Sequence, residues 1–317
     1  MQPIFIMSSG RTGSTLISKI INAHKDICII SDLIEPIGDN RFIKKNNLIT
    51  NKEYYNLINR KTSKSRIYYW RKFKTKELLY LPKNDNDVSL LNCYTLPFLF
   101  KNPKEYKIKI EKEFLKKNSL KKKSKHLIDY FNLLKKKTKK KFFVERTGGA
   151  LHHIDKILNF YPNAKIILNL RDPLETSISM RNYPFFRMYE LMQKNKNLHI
   201  WNYKKFKNYN FYGKMLNNWY LKFFKHFKKI KKSNFKFYNY ESLINNPEET
   251  LTEILKFILN KQKLDKYSLS FIKKKIKIIK PNKRKINNLS SKNKELLYNS
   301  LKSTISKINY YIYEKNK

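Results

Sequence analysis

The sequence predicts an α/β sandwich, with a central parallel sheet between helical layers and large, mostly helical insertions. Three observations predict it. The chain opens on the apolar run Ile4-Phe5-Ile6-Met7, breaks into the turn Ser8-Ser9-Gly10-Arg11-Thr12-Gly13-Ser14-Thr15, and resumes with helical apolar spacing at Leu16, Ile17, Ile20 and Ile21. A second apolar run, residues 164–170, ends in Arg171-Asp172-Pro173, a strand end followed by a residue suited to a first helical turn. Elsewhere short apolar runs alternate with helix-period segments, the signature of β-α-β units.

The elements follow in order. Strand 3–8, helix 14–23 and strand 27–31 open the sheet, with Cys28 a buried thiol inside Ile27-Cys28-Ile29-Ile30. From about 38 to 141 the pattern loosens into Lys- and Asn-rich segments with scattered aromatics (Tyr54, Tyr55, Tyr68, Tyr69, Trp70). That stretch is too long for a structureless loop. The spacing of Leu127, Ile128, Phe131 and Leu134 predicts helices over the sheet's C-terminal edge, where open α/β sheets bind ligands. The core resumes with strand 142–145, helix 150–160, strand 164–170 and helix 174–182. A second, aromatic-rich insertion covers about 183–212. Helix 213–230, strand 235–239 and helix 247–259 then complete the sheet, and residues 260–317 read as basic and helical. The core segments, about 3–36, 142–182 and 213–259, are expected to form one domain over 1–317.

A strand, a Gly- and hydroxyl-rich turn and a helix in that order make a phosphate-binding loop, whose backbone N–H groups and helix N-terminus face an anion. It is not a Walker A loop. Ser14 stands where the Lys of G-x-x-x-x-G-K-[ST] belongs, and Ser8 at the first Gly, which argues against the γ-phosphate of ATP or GTP. The fixed cation of the turn is Arg11, whose planar guanidinium suits a sulfate or a 5′-phosphate.

Gly10-Arg11-Thr12-Gly13-Ser14-Thr15-Leu16 resembles the 5′-phosphosulfate loop of sulfotransferases that use 3′-phosphoadenylyl sulfate (PAPS). Asn22-Ala23-His24-Lys25-Asp26-Ile27 resembles the D-A-H-P-D-I stretch that follows it in that family. Arg171, with Ser179 eight residues on, resembles the family's pair for the donor's 3′-phosphate. Phe142 to Gly148, with Phe160-Tyr161-Pro162-Asn163-Ala164, resembles "E-K-T-P … F-P-D-A-K", with Arg146 for Lys and Gly148 for Pro. Tyr240-Glu241-Ser242-Leu243 and Asn246-Pro247-Glu248-Glu249-Thr250-Leu251 resemble "Y-E-D-L … D-P-E-E-T-L". The segments occur in the family's order and cover about a third of the chain.

The resemblance implies a P-loop-type three-layer fold and sulfuryl transfer from PAPS, releasing PAP, to a hydroxyl or amine of a carbohydrate, lipid or small molecule. Arg11, Gly10, Gly13 and the N–H groups of Thr12, Ser14 and Thr15 would hold the 5′-phosphosulfate, and Arg171 and Ser179 the 3′-phosphate. Helix capping by Ser14 or Thr15 is the plain alternative. The base would be a carboxylate on the second strand. An ungapped count from Arg11 selects Asp32, whereas Glu35-Pro36 matches the family's Glu-Pro pair if three residues are inserted. Arg146 would stabilise the leaving group electrostatically, or else be a salt-bridged strand-end residue. His24, His152 and His153 read as structural, and Trp219 as a core residue or a neighbour of the adenine. No metal is expected.

Composition leaves two other classes open. The net charge of +46 suits polyanions. However, only 10 of the 70 basic residues are Arg, and Lys, Asn, Ile, Tyr and Phe are all products of A+T-rich codons. The runs Lys121-Lys122-Lys123, Lys135-Lys136-Lys137 and Lys139-Lys140-Lys141 then read as solvated faces, although a basic polyanion or nucleic-acid binder on a degenerate P-loop scaffold fits them too. A P-loop kinase-like phosphotransferase is the remaining alternative. The two cysteines, Cys28 and Cys93, fit neither a disulfide framework nor a metal spacing. The first strand begins by residue 4 and no apolar run approaches a membrane span, so a cytoplasmic location is expected.

Overall fold

In a computed structural model, described for residues 2–33, 41–62, 65, 69, 88–194, 200–280 and 285–310, five parallel strands form the central sheet. They are β1 (Ile4–Ser8), β2 (Ile27–Ser31), β5 (Phe142–Gly148), β6 (Lys165–Leu170) and β7 (Phe235–Asn239), in the order β2-β5-β1-β6-β7. A separate antiparallel pair, β3 (Leu48–Ile49) with β4 (Lys121–Lys122), lies within the long insertion. β1 sits at the centre, with Ser8 opposite Gly148 of β5 and Met7 opposite Leu168 of β6.

Burial on both faces explains the continuous apolar strands, and strand alternation divides the core in two. Ile4, Ile6, Ile27, Ile29, Val144 and Ile167 pack against α1 (Ser14–Asn22) and the later helices of that face. Phe5, Met7, Cys28, Ile30, Phe143, Ile166 and Leu168 pack against the opposite helical layer. That layer contains α2 (Asn51–Ile58), α3 (Leu96–Leu99), α4 (Pro103–Leu115), α5 (Lys123–Thr138) and α6 (Ile154–Phe160). The three-layer α/β architecture is therefore as the sequence predicts, and burial pushes the Cys28 thiol up to about 12.

Further along are α7 (Pro173–Arg181), α8 (Pro184–Lys194), α9 (Tyr209–Phe227), α10 (Tyr240–Asn245), α11 (Pro247–Leu259), α12 (Lys266–Ile276) and α13 (Ser291–Asn309). Local chemistry sets several boundaries. Asp172 caps α7 by accepting from the N–H groups of Leu174 (2.8 Å) and Glu175 (3.2 Å), with Pro173 in the first turn. Asn208 caps α9 by accepting from Phe211 N at 3.1 Å, so that helix starts four residues before the predicted 213. The predicted helix 150–160 begins as a 3₁₀ turn, Ala150–His153, and is α-helical only from Ile154. Strand 142–145 runs on to Gly148 because β1 continues to pair with it.

The insertion 38–141 is mostly helical where described, but also contains β3 and β4 and a π-helical turn, Leu91–Thr95. Tyr68 and Trp70 lie outside the described residues. Two predicted solvated lysines are structural: Lys123 is buried, with its Nζ donating to the carbonyls of Arg41 (3.3 Å) and Phe42 (3.0 Å), and Lys140 is the other. Lys140 Nζ donates to the carbonyls of Asn22 (2.5 Å), His24 (3.2 Å) and Ile27 (2.6 Å), satisfying the C-terminal end of α1. The basic C-terminal part is docked through α13. Gly213 of α9 is needed there, because a Cβ would stand 1.8 Å from Ser300 Oγ. Asn217 Oδ1 accepts from Thr304 N (3.2 Å) and Thr304 Oγ1 (2.7 Å).

Buried histidines give the fold an acid sensitivity. His24 accepts from Asp26 N at 3.2 Å through Nδ1 and faces Ser268 Oγ at 3.1 Å through Nε2, and burial lowers its pKa. Burial also pushes His152 and His153 down to about 3, helped by their charged neighbours. The unfolded chain takes up these protons near pH 6.5, whereas the native protein resists until about pH 3. Stability is therefore full above pH 6.5 and falls as the pH drops through that window, by about 2 kcal/mol per such histidine at pH 5. Urea titrations between pH 5 and 8 are expected to show that slope, and His153→Asn to flatten it. An unchanged slope would place the histidine in water.

Candidate active site

The turn of residues 9–13 lies at the C-terminal end of β1 and leads into α1. Its backbone passes through the left-handed region at Gly10 (φ 80), Arg11 (φ 62) and Gly13 (φ 84). Gly13 is also the N-cap of α1, and that N-cap position supplies no side-chain hydrogen bond to the helix. Ser14 and Thr15 are the first two residues inside α1, and Gly13 holds the N-cap position. Ser14 is buried, with its Oγ 3.5 Å from Ser8 Oγ, and Ser8 Oγ accepts from Gly10 N at 3.3 Å. Thr12 is fully buried and its Oγ1 has no hydrogen-bond partner. Two aromatic rings mould the turn from outside. A Cβ on Gly13 would stand 2.4 Å from Tyr240 Cδ2, and one on Gly10 3.1 Å from Phe186 Cζ.

The predicted 3′-phosphate pair lies directly beside this loop. Arg11 Nε donates to Ser179 Oγ at 3.3 Å, and its guanidinium stacks 4.3 Å above the ring of Tyr183. Arg171 Nη1 donates to the Arg11 carbonyl at 3.2 Å, and its guanidinium lies 4.9 Å from the Tyr240 ring centre. Arg171 Nη2 meets Glu175 Oε2 at 3.3 Å, while its buried Nε has no hydrogen-bond partner. Loop, strand end and α7 thus converge on one place.

The other predicted cluster is on the opposite side of the loop, at the ends of β2 and β5. Arg146 is buried, its Nη2 donating to Ser31 Oγ at 3.3 Å and its Nη1 3.7 Å from Asp32 Oδ1. Asp32 is buried in a left-handed conformation (φ 56), and its Oδ1 also accepts from Gly148 N at 3.0 Å. Arg146 lines a narrow cleft with Thr15, Ser18, Lys19, Ser31, Tyr94 and Phe98. The salt-bridged alternative for Arg146 therefore describes its present contacts, which leave it beside the loop. Glu35 lies outside the described residues.

Two of the three candidate histidines, His24 and His152, have structural surroundings. His24 packs edge-on against Tyr267 and Phe271, and His152 bonds the Gly149 carbonyl and stacks on Trp219 at 4.7 Å. Trp219 is a core residue. Residues that the sequence reading passed over now belong to the site. Tyr183 and Tyr240 cover the two arginines, and Glu241 Oε1 accepts from Asp172 N at 3.1 Å. Lys285 stands in the same field: desolvation lowers its pKa first, then the charges of Arg11 and Arg171. Tyr240 and Glu241 had a local signal in the Tyr240-Glu241-Ser242-Leu243 segment, and Glu175, which meets Arg171, stands four residues after it.

The five-stranded parallel sheet, with the β1–α1 turn and two arginines at its C-terminal edge, has a P-loop-type α/β architecture. The family model described as "Sulfotransferase family" matches residues 3–259, and the chain belongs to that family, an enzyme of the PAPS-dependent sulfotransferase class. No curated protein matches it. Among solved structures it is similar to sulfotransferase STF9 from Mycobacterium avium, at 11% identity and TM-score 0.51, covering 96% of this chain and 76% of that one. It is also similar to a sulfotransferase domain from the curacin biosynthetic pathway, at 14% identity and TM-score 0.49, covering 94% and 96%. A third similarity is to retinol dehydratase in complex with androsterone and inactive cofactor PAP, at 13% identity and TM-score 0.38, covering 96% and 81%. Family membership removes the phosphotransferase and polyanion-binder readings. Among the described residues, no helix is long and apolar enough to cross a membrane.

Proposed function

We propose that this enzyme moves a sulfuryl group from PAPS to a hydroxyl, or an amine, of a carbohydrate, lipid or small molecule, releasing PAP. The observation that carries the reading is a pair of contacts, Arg11 Nε to Ser179 Oγ and Arg171 Nη1 to the Arg11 carbonyl, which join the loop to α7 and to the strand-end arginine. The donor fits atoms already in place. Thr12 Oγ1 and Arg171 Nε are buried polar atoms without hydrogen-bond partners, and the N-cap position of α1 supplies no side-chain hydrogen bond. Bound PAPS supplies the activated sulfuryl group. The N–H groups of Thr12, Ser14 and Thr15 and the Arg11 guanidinium hold the 5′-phosphosulfate, while Arg171 and Ser179 hold the 3′-phosphate.

Sulfuryl transfer resembles phosphoryl transfer: the S–O bond to the leaving phosphate breaks as the S–O bond to the acceptor forms, with charge on the equatorial oxygens. Arg11 neutralises that charge, and Arg146, on the far side of the loop, stabilises the leaving oxygen without giving up a proton. A carboxylate after β2, Asp32 or Glu35, takes the acceptor's proton. Asp32 Oδ1 already serves Gly148 N and lies near Arg146, which favours Glu35 as the base and Asp32 as the group that orients Arg146.

The test is ligand-dependent melting. PAP at saturating concentration should raise the melting temperature by several degrees, and AMP, which lacks the 3′-phosphate, far less. Equal shifts would refute the assignment of Arg171 and Ser179, and no shift with either would refute donor binding.

A further inference from the structure

We propose that Glu175 is a positioning residue that makes recognition of the donor's 3′-phosphate depend on the docked C-terminal segment. The inference rests on the assignment of Arg171 and Ser179 to that phosphate. Glu175 is 2% exposed and makes two bonds that point in different directions. Its Oε2 meets Arg171 Nη2 at 3.3 Å, and its Oε1 accepts from the backbone N of Ile286 at 2.8 Å. Residues 171 and 175 belong to the sheet edge and the start of α7, whereas residue 286 begins the short 3₁₀ turn Ile286–Asn288 that leads into α13. One carboxylate therefore joins a distant part of the chain to the arginine.

The geometry says what the joint does. A guanidinium has five N–H donors in a plane. The Arg11 carbonyl takes one at Nη1 and Glu175 takes one at Nη2, fixing the plane from two sides. Nε remains buried without a hydrogen-bond partner. An arginine held in this way is pre-organised to read an anion, and less rotamer freedom is lost on binding. Glu175 is also the counter-charge of a crowded group, because Arg11, Arg171 and Lys285 all lie within electrostatic reach of one another.

The C-terminal segment is held from behind. The close approach of Gly213 to Ser300 and the bonds from Thr304 to Asn217 fix α13 on α9, and that packing presents Ile286 N to Glu175. The family match ends at residue 259, so this half of the joint lies beyond it.

The experiment measures the affinities of the full-length protein for PAP and AMP by calorimetry in Glu175→Gln, Ile286→Pro and Arg171→Ala, with KM for PAPS beside kcat. Glu175→Gln keeps an acceptor for Ile286 N but removes the negative charge facing Arg171, and Ile286→Pro removes the N–H donor together with the isoleucine side chain, while restricting Lys285 before it. Each should lower the preference for PAP over AMP at least tenfold, leave AMP affinity near wild type, and raise KM for PAPS with little change in kcat. A loss of general packing would instead weaken both nucleotides alike. A wild-type preference in Glu175→Gln overturns the positioning role. If Glu175→Gln fails to fold, Ile286→Pro decides alone, and a wild-type preference there overturns the dependence on the C-terminal segment. If Arg171→Ala itself keeps the preference, the 3′-phosphate assignment falls; if it loses it while the other two do not, only the joint is wrong.

Discussion

Replacing Arg11 by Ala is expected to lower kcat/KM about 10²-fold, or about 2–3 kcal/mol of transition-state stabilisation. The residue occupies the left-handed region at φ 62, a conformation that costs any non-glycine side chain about 1 kcal/mol. That cost is tolerated where the side chain is held, and here Ser179 and the Tyr183 ring hold it. Arg11→Gly relieves the backbone and removes the guanidinium. It should therefore be more stable than Arg11→Ala yet equally slow, which separates the backbone contribution from the charge. Turnover is to be measured with the acceptor found by screening PAPS against sugars, lipids and phenols. Near-normal rates in both variants would remove Arg11 from the transition state.

The second large effect is expected at the base. A positioned general base is worth about 10²–10⁴-fold. The amide variants Glu35→Gln and Asp32→Asn keep size while removing basicity, so the one that carries the base should lose that much in kcat yet still bind PAP. Because Asp32 Oδ1 accepts from Gly148 N and neighbours Arg146, Asp32→Asn is expected to weaken the hold on Arg146, a milder effect than Glu35→Gln. Collapse in Asp32→Asn alone would reverse these roles. Activity in both, together with inactive His24, His152 or His153 variants, would move the base to a histidine against the buried surroundings described above.

The parts of the site that were legible in the sequence are those carried by short spacings. The turn after β1 is local, and Ser179 stands eight residues after Arg171 on the helix that Asp172 and Pro173 begin, so a pattern of a dozen residues suffices. Tyr240 under Gly13, Glu241 on Asp172 and Ile286 on Glu175 were not legible as contacts, because each joins segments 69 or more residues apart. For the same reason Lys140 read as one more solvated lysine. Its three carbonyl partners lie at the end of α1 and the start of β2, more than a hundred positions away. The strands were legible because burial on both faces leaves them continuously apolar. The β3–β4 pair was not, since Lys121 and Lys122 carry no strand pattern.

The order of the sheet also governs when the protein can assemble on the ribosome. β1 is flanked by β5 and β6, so once made it has no neighbour in the sheet to pair with until residues 142–148 have been translated. At about 5–20 residues per second, that leaves roughly 7–28 seconds in which Ile4 to Met7 are nascent and unpaired. Closure across such sequence separations is entropically slow, and exposed apolar strands associate with one another. Yield during expression should consequently respond to growth temperature and chaperone supply more strongly than the melting temperature of the finished protein would suggest.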